Sequence, residues 1–139
     1  MSIIPVPTSS ATETVWERVC QLQDLLPERG AAALVDGVQV ALFRLADDTV
    51  LAVQQRDPFS GANVMSRGIV GTRAGVATVA GPMYKQVFDL VTGRCLETAG
   101  YTPVVGLGPD LATWPVEVRD GVVHVATRPS TLPAPAVAA

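Results

Sequence analysis

The chain has 139 residues, 48% hydrophobic and 17% charged, with a net charge of −3, two cysteines and one histidine. That length fits one domain, and so apolar and weakly charged a composition excludes a chain disordered throughout. The acidic balance, with no cluster of Lys and Arg, argues against nucleic acid as a partner.

Residues 1–13 carry Pro5, Pro7 and the run Thr8-Ser9-Ser10 and read as a flexible N-terminal tail. The start lacks the basic residues and unbroken apolar stretch of a secretory signal, and no run approaches the roughly 18 apolar residues of a spanning helix. No membrane contact and a cytoplasmic location are therefore expected, with Cys20 and Cys95 as reduced thiols. Residues 14–126 read as the folded domain. There, short segments rich in Val, Leu and Ala are separated by Asp-Gly, Thr-Gly or Gly-Pro pairs, the spacing of an all-β protein. Helix is scarce: one turn is predicted over 24–27 and another over 107–113.

Asp36-Gly37 predicts a type I′ hairpin that sets Val35 opposite Val38, Leu34 opposite Gln39, Ala33 opposite Val40 and Ala31 opposite Leu42, with Leu34 facing away from the core row. Further strands are predicted over 51–55, 76–80 and 87–91, with a corner at Gly81-Pro82 and a turn at Thr92-Gly93 before Cys95-Leu96. Asp120-Gly121 predicts a last hairpin, pairing Arg119 with Val122, Val118 with Val123, Glu117 with His124 and Val116 with Val125. Val116, Val118, Val123 and Val125 then share a face expected to be core. Residues 127–139, with Pro129, Pro133 and Pro135, read as a flexible C-terminal tail. No internal repeat is evident.

Two stretches, Arg56-Asp57-Pro58-Phe59-Ser60-Gly61-Ala62 and Gly81-Pro82-Met83-Tyr84-Lys85-Gln86-Val87-Phe88-Asp89-Leu90, resemble the two cluster-binding loops of a Rieske iron–sulfur domain. A Rieske [2Fe–2S] centre takes two Cys thiolates and two His imidazoles. Their positions hold Asp57, Phe59, Gly81 and Tyr84, and one histidine in the whole chain excludes an intact ligand set. Pro82 is kept, Lys85 replaces a glycine, and Phe88-Asp89-Leu90-Val91-Thr92-Gly93 follows the Rieske pattern. Together with Ser66-Arg67-Gly68-Ile69-Val70-Gly71 and Tyr84-Lys85-Gln86, these loops are similar to the small-subunit family of assimilatory NAD(P)H-dependent nitrite reductases, over roughly residues 15–126. The resemblance implies a Rieske-like antiparallel β-sandwich without a cluster and without catalytic residues, metal or cofactor of its own. It further implies a large-subunit partner that carries FAD, a [4Fe–4S] cluster and sirohaem and reduces nitrite to ammonium.

Phe59 and Tyr84 are expected to fill the volume a cluster would take, so that packing holds the loops together. Pro58, Phe59, Met65, Tyr84 and Lys85 form the candidate partner interface, apolar and aromatic with one charge. Asp57 and Tyr84 could instead serve an unusual iron site in an electron-transfer protein, but Gly81 and Phe59 add no donor atoms. A free-standing small-ligand module on the same fold is a further alternative, and would need an open pocket between the loops. Neither cysteine lies in a Cys-x-x-Cys pattern, so both are expected as small buried hydrophobes. His124 is expected to pair with Glu117 across the hairpin. Nucleophilic catalysis and a phosphate-binding loop have no motif to rest on.

Overall fold

The computed structural model describes residues 14–130. Eleven strands, all paired antiparallel, make three sheets. The central one has the order β2 (Arg29–Val35), β3 (Val38–Arg44), β4 (Val50–Gln54), β9 (Thr113–Trp114). A three-stranded sheet of β1 (Trp16–Gln21), β11 (Val122–Ala126) and β10 (Val116–Arg119) covers one of its faces. The other face meets β5 (Ile69–Arg73), β6 (Val76–Ala80), β7 (Val87–Asp89) and β8 (Cys95–Glu97).

The burial of β3 follows from its sequence. Side chains alternate along a strand, so Val40 and Leu42 enter one core with Val35, Val123, Val125 and Trp114, while Ala41 and Phe43 enter a second with Met65, Val79, Phe88 and Leu111. A strand buried on both faces reads as an uninterrupted apolar run, as Val40-Ala41-Leu42-Phe43 does. At the sheet's rim the Arg44 guanidinium donates to the Leu25 carbonyl at 2.8 Å and pairs with Asp48 at 2.8 Å.

Both Asp-Gly hairpins have the expected register at every pair. Leu34 faces outward, 62% exposed, and Val123 and Val125 are buried. Val118, expected in the core, is 38% exposed, because β10 is an edge strand with a neighbour on one side alone. The strand expected over 76–80 is β6; β4 lies one residue earlier than expected, and β7 stops at Asp89. Strands β1, β5 and β9 carry no sequence prediction. The turn expected over 24–27 is a 3-10 turn at Leu22–Asp24, closed by the Leu25 amide on the Leu22 carbonyl at 3.0 Å. No helix forms over 107–113: the Leu111 amide donates to the Gly93 carbonyl at 2.7 Å, and the chain enters β9.

The tails expected at 1–13 and 131–139 lie outside the described residues. Residues 127–130 are held to the domain, with the Thr127 amide on the Val15 carbonyl at 2.9 Å and the Ser130 amide on the Thr113 carbonyl at 2.7 Å.

Candidate functional site

Three turns share one backbone geometry that the sequence did not announce as a repeat. In each, the first residue's amide donates to the carbonyl five positions on, and the amide four positions on donates back to the first carbonyl. Asp57 to Ala62 and Gly61 to Asp57 are both 2.8 Å; Gly81 to Gln86 is 2.8 Å and Lys85 to Gly81 is 3.1 Å; Asp89 to Arg94 and Gly93 to Asp89 are both 2.8 Å. The fifth residue of each turn has a positive φ: 80° at Gly61, 66° at Lys85 and 80° at Gly93. Glycine adopts that conformation without strain, whereas a lysine there meets its own Cβ against the backbone. The expected replacement of a glycine by Lys85 thus falls at the strained position.

Side chains then set the first two turns apart. In the first, Asp57 is fully buried; its Oδ1 accepts the Phe59 amide at 2.8 Å and its Oδ2 accepts the Ser60 hydroxyl at 3.0 Å. Hydrogen bonds of this kind offset the cost of removing a carboxylate from water. Pro58 is buried too, and Phe59, 4% exposed, packs with its ring centroid 6.2 Å from that of Phe88. Asp89 repeats the Asp57 arrangement, its Oδ1 accepting the Val91 amide at 2.7 Å. Gly81 has no side chain to do so. The place its Cβ would take is 3.7 Å from both Asp57 Oδ2 and Met65 Sδ, so the first turn's carboxylate and a methionine fill the space beside the second turn.

The second turn points outward. Pro82, Met83, Tyr84 and Lys85 are exposed, and only Gly81 and Gln86 are buried. Tyr84 therefore does not fill the interior volume assigned to it; its ring stacks on Tyr101, centroids 4.4 Å apart and planes 11° from parallel. The candidate interface is corrected in the same way. Pro58, Phe59 and Met65 lie in the interior, Phe59 and Met65 as part of the core with Phe43, Val79 and Phe88, and only Tyr84 and Lys85 remain at the surface.

A third loop, residues 98–112, was missed in the sequence. It is pinned across both turns: the Val104 amide donates to the Pro58 carbonyl at 2.8 Å, and buried Gln86 donates through Nε2 to the Thr98 carbonyl at 3.2 Å. Its far end is fixed by Gln54, whose Oε1 accepts the Ala112 amide at 2.8 Å and whose Nε2 donates to the Arg56 carbonyl at 2.8 Å. Neighbouring Gln55 holds Ser66 on the opposite face, accepting its amide at 2.7 Å and donating to its hydroxyl at 2.9 Å. The adjacent glutamines before Asp57 were the available signal: Gln54, the last residue of β4, reaches the third loop, and Gln55, just beyond it, reaches Ser66.

The donor set does not fit a [2Fe–2S] cluster. Asp57, Phe59, Gly81 and Tyr84 supply no thiolate or imidazole, and Cys20, Cys95 and His124 lie on strands outside both turns. Among the described residues no group of three or more His, Cys, Asp or Glu is placed to hold a metal. Both thiols are free and half-buried, and each is pushed above its ordinary range, chiefly by burial. Asp24 adds to this at Cys20; at Cys95 the Glu97 backbone opposes it and Asp110 and Glu97 add to it. Glu117 sits opposite His124 in register but pairs with Arg119 at 3.3 Å, while His124 Nδ1 lies 3.2 Å from the Val122 carbonyl. Two residues apart on one face of a strand, Glu117 and Arg119 meet without crossing the hairpin. Two shallow clefts, about 390 and 350 Å³, lie along β1, away from the two turns.

The profile of the Rieske-like [2Fe-2S] domain family matches residues 15–126. The nitrite reductase (NADH) small subunit of Salmonella typhimurium is 37% identical over 111 residues, 79% of this chain and 95% of that protein. A crystal structure named as an NADH-dependent nitrite reductase small subunit from Mycobacterium tuberculosis superposes with a TM-score of 0.72 at 46% identity, covering 82% of this chain and 96% of that one. The nitrite reductase [NAD(P)H] large subunit of Klebsiella oxytoca also matches, 36% identical over 110 residues, which are 79% of this chain but only 11% of that polypeptide. On matched length and identity, this chain belongs to the nitrite reductase small-subunit family of Rieske-like domains.

Proposed function

We propose that this chain is the non-catalytic small subunit of a cytoplasmic NAD(P)H-dependent nitrite reductase of nitrate assimilation. It docks on and supports a large subunit that carries FAD, a [4Fe–4S] cluster and sirohaem, and it works without a cluster of its own. The observation that carries this reading is the pair of former cluster turns, each closed by its own backbone hydrogen bonds, inside a chain of the small-subunit family. A domain whose two turns are already fixed can act as a rigid body without iron to order it. The Klebsiella large subunit supports the pairing, since a stretch like this chain is there part of one polypeptide with the rest of a large subunit.

The test is to express the untagged chain with the tagged large subunit from the same genome and assay NAD(P)H-dependent nitrite reduction with and without it. Co-elution together with activity that depends on the chain is the expected result. Failure of both overturns the proposal.

A further inference from the structure

The end of the molecule that carries the two turns leaves several large apolar groups in water although it buries two polar side chains. Asp57 and Gln86 are fully buried there, yet Met83 is 51% exposed, Tyr84 37%, Tyr101 48%, and Val105 stands wholly in solvent. Two of these are locked together by the 4.4 Å ring stack. The segments that carry them are tied by the bonds from Gln86 to Thr98 and from Val104 to Pro58. Isolated exposed apolar residues need no explanation, but a group of them carried on joined, hydrogen-bonded loops marks a contact surface. The stack also lowers the entropic cost of binding, because aromatic side chains already held in place lose little freedom on docking.

From this we infer that the Tyr84–Tyr101 stack, with Met83 and Val105 exposed on the same two joined segments, is the anchor by which this chain docks on the large subunit. The inference rests on the function proposed above and names its surface. The occupant is a flat apolar face of the large subunit with acceptors for the two phenol hydroxyls and an acidic group opposite the exposed Lys85. That occupant, in preference to a second copy of this chain, is favoured by the Klebsiella relative, in which the great majority of the polypeptide lies outside the stretch like this chain and is available to cover such a patch. The third loop, absent from the two cluster turns, supplies half of the anchor through Tyr101 and Val105.

The experiment uses the full chain and the tagged large subunit, and measures affinity, size in solution and thermal unfolding for the wild type, Tyr84→Ala/Tyr101→Ala and Val105→Asp. A control, Leu34→Ser/Val38→Ser, removes apolar groups of similar exposure on the β2–β3 hairpin. The expected result is binding weakened roughly tenfold or more in both anchor variants, near-wild-type unfolding temperatures, and no change in the control. If Tyr84→Ala/Tyr101→Ala unfolds, Val105→Asp decides, since its side chain touches only solvent. Wild-type binding that survives both anchor variants overturns this surface and leaves the proposed function standing. Loss of a homodimer, with the complex intact, assigns the patch to a second copy and overturns the inference. Absence of wild-type binding overturns the proposed function, and this inference with it.

Discussion

The turns at 57–62 and 81–86 have the same backbone hydrogen bonds and opposite uses of their side chains. The first drives Asp57, Pro58 and Phe59 inward; the second holds Pro82, Met83, Tyr84 and Lys85 in solvent. The frame is therefore independent of what hangs on it. The first turn is a core element and the second a surface element, although both place a proline second; the aromatic is third in the first turn, at Phe59, and fourth in the second, at Tyr84.

Phe59→Ala breaks this contrast most severely. Removing a ring packed on Phe88 should cost about 3–4 kcal/mol of stability, whereas Tyr84→Ala should change stability by no more than about 0.5 kcal/mol, both read by urea unfolding. Next comes Asp57→Ala, which strands the buried Phe59 amide and Ser60 hydroxyl and should cost about 2 kcal/mol; Asp57→Asn, which keeps the Oδ1 acceptor, should cost less.

The fifth position sharpens the comparison by sign. Gly61→Ala meets no atom closer than 3.7 Å but carries a Cβ into a positive-φ site, and should destabilise by about 1 kcal/mol. Lys85→Gly relieves the same strain and, after glycine's larger entropy loss on folding, should stabilise by about 0.5 kcal/mol.

The smallest effect concerns the thiols. Burial raises the Cys20 and Cys95 values in the folded chain, so the neutral thiols favour folding. Their contribution is fully present below the ordinary thiol value of about 8.5 and is lost as pH rises through the higher folded value. The unfolding midpoint should fall with alkalinity, less so in Cys20→Ser/Cys95→Ser, and native thiols should react slowly with a disulfide reagent near pH 8.

The parts of this fold that were legible in the sequence are those fixed locally. A two-residue Asp-Gly turn determines register outward from itself, so both hairpins could be written pair by pair. β1 could not, because Trp16-Glu17-Arg18-Val19-Cys20-Gln21 is joined to no partner by a hairpin turn and pairs with β11 about a hundred residues away. The contrast between Phe59 and Tyr84 was equally hidden. Which ring turns inward depends on Met65 and the more distant Phe88 beside the first turn and on Tyr101 beside the second. The third loop has no period at all, and backbone bonds to Pro58 and Gly93 together with the Gln86 side chain on the Thr98 carbonyl decide its course. For the candidate site, the missing ligands were plain in the sequence, while the inward or outward sense of each replacement required the packing.

The central claim is that protein hydrogen bonds and packing, with no metal centre, close the two turns. Amide hydrogen exchange at Asp57, Gly61, Gly81 and Lys85 tests it most directly, on protein refolded with a chelator and on protein refolded with iron and sulfide. The account predicts that all four amides are protected, and equally so, in both samples. Protection that is missing with chelator and arises only with iron and sulfide would contradict it.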